Sequence, residues 1–348
     1  MGYNKSLGID IGASSIKIVE VAAAGKKRKL ENYLEFFLPY DESFQTFEEE
    51  SLVLMSDQVA ELLDGLLEKT KIRQKKAAFS IPDFSTFITN FSLPPMSEAE
   101  IPQAVEFEAR HHIPLPLSDV TFDWQLIKER GASAKAKNKV LLVAVPNKVL
   151  ASYQRLAALC GLETKGIEAE VFGLLRSVVA AEKKHMGLCL VDFGWRSTTV
   201  SIVERGVLKM SHSFDFSGTD LTEMIAKRFN LGFAEAERWK RKEGLNSRGD
   251  EVSQFLLKRV EPLVSEIKKT MRNFYQLEGK EVEQLVLAGG TALMPGLSEY
   301  LEKRIEREVE LANPFVDFSY NSLLAERLQE IGPAFAVAVG VGLMGASS

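Results

Sequence analysis

The chain has 348 residues, with 48 acidic and 43 basic side chains, a formal net charge of −5 and 45% hydrophobic residues. This length can bury two sizeable cores, and the composition is that of a folded soluble protein. Basic residues occur in short local runs without interleaved aromatic side chains, so we expect no nucleic-acid partner. Cys160 and Cys189 form neither a CxxC motif nor a disulfide framework. We predict buried thiols in a reducing cytoplasm.

The first informative segment is GIDIGASSIK, residues 8–17. Alternating apolar residues predict a short strand, and a glycine predicts a tight turn in which the backbone can approach a ligand closely. Asp10 offers an oxygen ligand for hydrated magnesium, and Gly12 provides the tight turn. Ser14 and Ser15 offer hydroxyl groups, and Lys17 offers a positive charge. The glycine spacing matches neither the Walker P-loop nor the dinucleotide-binding fingerprint. The pattern indicates a phosphate pocket, with a plain hairpin as the alternative.

The segment 83–165 contains more secondary structure than a phosphate-binding lobe requires. A strand, AAFSIP at residues 77–82, precedes it. Ser97 followed by Glu100 predicts a helix that begins at Ser97 with a capping box. Two strand patterns and a second helix follow. We therefore predict a self-contained α+β unit inserted into the first half of the chain.

A second copy of the first turn occurs at residues 190–202, LVDFGWRSTTVSI. Asp192 and Gly194 are again two residues apart at a strand end, and hydroxyl side chains follow at Thr198 and Thr199. Two such hairpins predict two related half-domains that face each other. Together they could clamp one triphosphate, with an aspartate of each hairpin holding magnesium through water.

The chain from residue 218 onward has features that suit the rest of a nucleotide. Gly218 opens a helix whose N-terminus can meet phosphate oxygens. Residues 285–297, LVLAGGTALMPGL, predict a strand, a turn at Gly289 and Gly290, and a helix. The apolar stretch 335–346 is shorter than the ~20 residues that span a bilayer, so it predicts a buried helix.

The three glycine-containing segments together resemble the phosphate-1, phosphate-2 and adenosine motifs of the actin-like ATPase superfamily. The resemblance implies a two-lobed α/β fold of the actin-like (ribonuclease H-like) class that binds ATP and Mg²⁺. It implies a first lobe of residues 1–82, completed by about 166–188 and the C-terminal helix 333–345. An FtsA-type inserted subdomain spans 83–165, and the second lobe spans 189–332.

An inserted subdomain at this point is similar to those of FtsA and of the PilM family of type IV pilus assembly proteins. The similarity to PilM runs from Leu7 to Leu343; the segments that carry it include SSIK, LPPMS, FEARHHIPLPL, AVPNKVL, GTDLTEMIAKRF, AEAERWK and ANPF. It implies a cytoplasmic scaffold that docks the N-terminal tail of PilN. It also implies contacts with the pilus motor ATPases and the platform protein PilC, and a peripheral location at the inner membrane through partners alone.

The resemblance also implies roles for single residues. Glu170 occupies the position of the residue that orients the attacking water, with a solvated helix-cap glutamate as the alternative. Glu237 and Lys240, on one helix face, resemble the pair that reaches the ribose and adenine, with a surface ion pair as the alternative. Thr291 and the two glycines before it form the wall against the adenosine. ATP hydrolysis, if it occurs, is expected to be slow.

Two other functions stay open at this point. A filament-forming actin homologue like FtsA is the closer one, although FtsA ends in an amphipathic membrane-targeting helix and this chain ends in MGASS. A small-molecule kinase of the same fold would need a second carboxylate as general base beside the γ-phosphate. No clear second acid follows Gly12 or Gly194.

Overall fold

A computed structural model describes residues 2–39, 45–48, 53–127, 138–179, 183, 185–246 and 251–347. The strands within these ranges are β1 Asn4–Ile11, β2 Ser15–Ala24, β3 Lys27–Phe37, β4 Lys76–Ile81, β5 Phe87–Leu93, β6 Val120–Ile127, β7 Asn138–Pro146, β8 Glu163–Ala169, β9 Gly187–Phe193, β10 Thr198–Glu204, β11 Val207–Phe214, β12 Gln284–Ala288, β13 Glu308–Leu311 and β14 Phe318–Ser319. The α-helices there are α1 Ser56–Lys69, α2 Ile101–His112, α3 Asn147–Leu159, α4 Glu170–Val178, α5 Gly218–Phe229, α6 Phe233–Glu243, α7 Glu251–Arg259, α8 Glu261–Glu278, α9 Leu297–Ile305 and α10 Ala325–Ser347.

The first lobe is built on a six-stranded sheet in the order β14-β3-β2-β1-β4-β8. Strands β1, β2 and β3 are antiparallel, whereas β4 and β8 continue the sheet in parallel. Leu7 and Ile9 of β1 pack with α1 and α3, while Val19 and Val21 of β2 pack with α10. Because helices cover both faces, side chains on both faces of these strands are apolar.

Helix α10 lies directly against the first sheet. A Cβ atom at Gly8 of β1 would lie 2.0 Å from the carbonyl oxygen of Ala338, so glycine is required for this close approach. The segment Ser322–Ser347 is long and apolar enough to cross a membrane, but 83% of its most apolar window is buried inside the fold. The prediction of a buried helix at 335–346 is confirmed.

The second lobe repeats the sheet of the first. Its five strands follow the order β11-β10-β9-β12-β13, with three antiparallel strands joined to two parallel ones. Helices α5, α7, α8 and α9 supply one continuous core through residues such as Leu221, Leu256, Ile267 and Leu297. The repeated sheet agrees with the prediction of two related half-domains.

The insert, which we define as β5 to β7 with α2, forms a small third sheet in the order β5-β7-β6. Its strands are antiparallel, and α2 covers one face by packing Val105 and Ala109 against Val140 and Leu142 of β7. Lys139 Nζ lies 2.7 Å from Glu278 Oε1 of α8. The insert therefore contacts the second lobe as well as the first.

Two features of the range 83–165 differ from the sequence prediction: the start of helix α2 and the place of helix α3. The backbone N–H of Ser97 donates to Glu100 Oε2 at 2.8 Å, as in a capping box, but this contact closes a turn that precedes the helix. Helix α2 itself begins at Ile101, one residue before Pro102. Proline is tolerated in the first turn of a helix. The closing helix α3 packs with α1 and β1 through residues such as Tyr153, instead of joining the small sheet. It is therefore part of the first-lobe core.

Candidate functional site

The first hairpin turn, between β1 and β2, closes through a hydrogen bond from the Gly12 N–H to the Ser15 carbonyl oxygen at 3.0 Å. Asp10 is 6% exposed and accepts a hydrogen bond from Ser80 Oγ at 2.8 Å. Lys17, its cross-strand neighbour, places Nζ 3.7 Å from Asp10 Oδ2 and donates to Ser15 Oγ at 2.8 Å. The turn thus presents one buried carboxylate beside one buried ammonium group.

The second hairpin turn, between β9 and β10, has the same closure. The Gly194 N–H donates to the Ser197 carbonyl oxygen at 3.0 Å. The cross-strand neighbour of Asp192 is Thr199, where the first hairpin has Lys17. The second turn therefore offers a carboxylate and a hydroxyl group but no ammonium at that position.

The two turns face one cleft between the lobes. Eleven of the residues predicted from sequence line it: Asp10, Gly12, Ser14, Ser15, Lys17, Glu170, Asp192, Gly194, Thr199, Gly289 and Gly290. A neighbouring cavity that shares Gly290 with this cleft is lined by three more: Glu237, Lys240 and Thr291. Thr198 faces away, because it is fully buried and its hydroxyl donates to the Phe216 carbonyl oxygen.

Four carboxyl groups influence one another at the cleft: Asp10, Glu170 and Asp192 line it, and Asp83 is buried beside it. Burial raises the pKa of Asp83 to about 6, against the hydrogen bonds that it accepts from the Val171 N–H and the Thr199 hydroxyl. Burial, followed by repulsion from Asp83 and Asp10, raises the pKa of Asp192 to about 7. Burial and the same neighbours raise the pKa of Glu170 well above its ordinary value. The carboxyl groups therefore repel one another in the nucleotide-free protein.

Glu170 stands at the first position of α4, where its Oε2 accepts a hydrogen bond from the Asp83 N–H at 3.1 Å. The N-cap of α4 is Ala169, and Glu170 lines the cleft together with both hairpin turns. It is thus neither a helix cap nor a solvated surface residue. Its position leaves it available to a ligand in the cleft.

Glu237 and Lys240 of α6 form a buried ion pair, with side chains 2% and 3% exposed and an Nζ–Oε2 distance of 2.7 Å. This burial excludes the alternative of a surface ion pair. Lys240 Nζ also donates to the Gly218 carbonyl oxygen at 2.7 Å. Burial lowers the pKa of Lys240 to about 8, although Glu237 acts in the opposite direction. A Cβ atom at Gly218 would lie 2.3 Å from Thr291 Oγ1, so the start of α5 packs closely against Thr291 as well as against Lys240 of α6.

The sequence reasoning missed several residues at the cleft, among them Asp83, which is buried beside it. Asp83 was missed because it follows neither hairpin; the available signal was its place just beyond the carboxyl end of β4, where open α/β sheets bind ligands. Trp195 and Arg196, inside the second turn, also line the cleft, as does Phe84. Asp83 follows neither turn, is 5% exposed and accepts hydrogen bonds from Val171 of α4 and Thr199 of β10, so it is not placed as the general base of a kinase.

A second cavity lies between the insert and the first lobe, where β6 and β8 are edge strands of their sheets. It has a volume of about 350 Å³, and we call it the apolar groove. Val143 and Val145 of β7 line one wall, and Ile81, Ile167 and Phe172 line the other. Its size and lining are those of a binding site for apolar side chains.

The paired lobes, their repeated Asp-x-Gly hairpins and the shared cleft define an actin-like ATPase fold. Solved structures agree: MreB5 of Spiroplasma citri bound to AMPPNP has a TM-score of 0.55 at 12% identity, covering 98% of this chain and 95% of that one. A PilM–PilN type IV pilus biogenesis complex has a TM-score of 0.84 at 24% identity, covering 98% of each chain. The model of the family described as type IV pilus assembly protein PilM matches residues 8–346. The chain belongs to this family.

Cell division protein FtsA is a more distant relative. FtsA of Staphylococcus epidermidis is 23% identical over 210 residues, which cover 54% of this chain and 45% of FtsA. The chain therefore spans about half the length of such relatives. The prediction from sequence that the chain is a PilM family member with an actin-like fold is confirmed.

Proposed function

We propose that this protein is an ATP-binding scaffold of type IV pilus assembly, with Mg-ATP held in the cleft between the lobes. The observation that carries the proposal is the matched pair of turns, each with an Asp-x-Gly sequence and the same 3.0 Å closing hydrogen bond, on opposite walls of one cleft. The likeness to a nucleotide-bound MreB5 supports it. Adenosine would lie toward Gly289, Gly290 and the Glu237–Lys240 pair.

Magnesium fits this site as a hydrated ion. The described residues contain no group of three or more His, Cys, Asp or Glu side chains that could hold a metal. Mg²⁺ usually keeps several waters and uses one or two carboxylates with substrate phosphates. Asp10 and Asp192 would supply those carboxylates, and the positive charge of the ion would relieve their repulsion.

Slow hydrolysis follows from the state of Glu170. A group that orients the attacking water acts best when its carboxylate is free to turn toward that water. Glu170 accepts a hydrogen bond from the Asp83 N–H, which restricts its rotation. We therefore propose a good ATP binder with low turnover.

For the partner, we propose that the N-terminal tail of PilN binds in the apolar groove. A PilM–PilN complex among the similar structures supports this partner, and the groove lies where the insert meets the first lobe. The edge strands β6 and β8 leave backbone groups for an extended peptide, while the groove offers pockets for its apolar side chains. A cytoplasmic location at the inner membrane through PilN, and contacts with the motor ATPases and PilC, are further parts of this proposal.

The test of nucleotide binding is thermal unfolding with and without Mg-ATP. A ligand at a hundredfold excess over its Kd stabilises the folded state by about 2.7 kcal/mol. Asp10→Asn should remove most of this gain, while Asp64→Asn on the exposed face of α1 should retain it. An unchanged melting temperature of the wild type at millimolar Mg-ATP would contradict the proposal.

The test of the groove is binding of a synthetic PilN N-terminal peptide. Val143→Asp places a charge on the half-buried groove wall, and it should abolish peptide binding while leaving the Mg-ATP stabilisation intact. The matched control is Leu159→Asp, an apolar-to-acidic change at a 49% exposed site on α3. Full peptide affinity in a folded Val143→Asp variant would exclude the groove as the site.

A further inference from the structure

One of the cations that line the cleft differs from the others in its partners. Lys17 pairs with Asp10, and Arg241 Nε lies 2.6 Å from Glu237 Oε1. Arg196 also lines the cleft, and among the residues that the structure describes no carboxylate lies within ion-pair distance of it. Because the carboxyl groups of Asp10, Glu170 and Asp192 already line the same space, a guanidinium there that pairs with no described carboxylate is positioned for an anion brought by the ligand.

The guanidinium of Arg196 is held by an aromatic ring from the opposite side of the cleft. Its carbon lies 5.3 Å from the ring centroid of Phe84, which follows β4 at the junction of the first lobe and the insert. A cation over an aromatic face at this distance is attracted by the ring. The contact thus spans the cleft and restricts where the charged group can lie.

The lining of the neighbouring cavities shows at which end of the cleft Arg196 lies. At one end the cleft shares Arg241, Gly290 and Leu293 with the cavity of the Glu237–Lys240 pair. At the other end it shares Phe84 and Ser197 with a separate polar cavity. Arg196 precedes Ser197 and stacks on Phe84, so its guanidinium lies on the Phe84 side of the cleft, whereas the proposed adenosine site lies toward Gly290.

We propose that Arg196 binds the terminal phosphate of the nucleotide and so makes the site prefer a triphosphate over a diphosphate. This inference rests on the proposed function of the cleft. A guanidinium presents parallel N–H donors that match two phosphate oxygens, whereas a lysine offers only a point charge. Stacking on Phe84 keeps the group in place before the ligand arrives, so less side-chain entropy is lost on binding.

The experiment measures the Kd of Mg-ATP, Mg-ADP and adenosine by titration calorimetry for the wild type, Arg196→Ala and Arg196→Lys. We expect Arg196→Ala to raise the Kd of Mg-ATP at least tenfold, to raise that of Mg-ADP less than threefold, and to leave adenosine unchanged, because a hydrogen bond to a charged group is worth roughly tenfold to a hundredfold in affinity. Arg196→Lys should recover part of the loss. The matched control is Arg228→Ala, which removes another exposed arginine stacked on a phenylalanine, 5.4 Å from the Phe229 ring and away from the cleft.

The outcomes separate the inference from the function on which it rests. Failure of the wild type to bind any nucleotide would overturn both. Binding by the wild type with an unchanged Mg-ATP Kd in Arg196→Ala would overturn the inference alone. An equal loss for Mg-ATP and Mg-ADP would likewise overturn the assignment to the terminal phosphate. Arg196 is exposed, so its variants are expected to fold, and circular dichroism checks this.

Discussion

Replacing Asp192 by asparagine should stabilise the nucleotide-free protein while weakening nucleotide binding. Burial and repulsion from Asp83 and Asp10 oppose the ionisation of Asp192 and raise its pKa. Asparagine has nearly the same shape and carries no charge, so it removes this repulsion. The same change removes a carboxylate that the proposed magnesium site needs.

The size of the effect follows from the pKa of Asp192, which is about 7 in place of 3.8. A tenfold change in a proton equilibrium is worth about 1.4 kcal/mol, so ionising Asp192 costs up to about 4 kcal/mol of folding stability. Because the pKa is raised in the folded state, the cost is absent below about pH 4, grows as the pH rises, and is complete above about pH 7. The advantage of Asp192→Asn should follow the same course.

The assay is chemical or thermal unfolding of the nucleotide-free wild type and variant at several values between pH 4 and pH 8. Asp192→Asn should unfold at a higher temperature by several degrees at pH 8 and show little difference at pH 4. Its Mg-ATP stabilisation should be smaller than that of the wild type. The exposed-site control Asp64→Asn should change neither quantity. Destabilisation by Asp192→Asn at every pH, or a constant difference across the range, would refute the reasoning.

Three further changes test the neighbourhood of the cleft. Glu170→Gln should lower the ATPase kcat at least tenfold with little change in ATP affinity, since a water-orienting group acts mainly in the transition state; a large loss of affinity would make Glu170 structural. Gly289→Ala should cost about 2–4 kcal/mol in denaturant unfolding, because the φ of Gly289 is +89° and a Cβ would lie 2.5 Å from Asp192 Oδ1; wild-type stability would contradict this packing. Tyr153→Phe should leave stability unchanged or raise it by about 1 kcal/mol, because the buried Tyr153 hydroxyl has no hydrogen-bond partner among the described residues; a loss of stability in the same unfolding experiment would reveal a partner.

The structure agrees with much of what local patterns in the sequence predicted. Each Asp-x-Gly hairpin is encoded in a short stretch of sequence, because alternating apolar residues and a glycine at the turn favour a strand, a turn and a returning strand. The actin-like class was implied by the resemblance of two such hairpins and one glycine turn, in this order, to the motifs of that superfamily. The helix start was predicted less well, since Ser97 and Glu100 form their capping contacts in a turn before the helix.

Only the tertiary structure decided which distant residues meet in the cleft. Asp83 and Glu170 are 87 positions apart, and their hydrogen bond exists because β4 and β8 are neighbours in one sheet. The contact of Arg196 with Phe84 likewise requires the two lobes to face each other. Burial of the Glu237–Lys240 pair and the raised pKa values of the carboxyl groups depend on desolvation by elements far away in the chain, which no local spacing encodes. The chain's own local chemistry therefore determines the turns, whereas the packing of its two lobes determines the charge and the reach of the site between them.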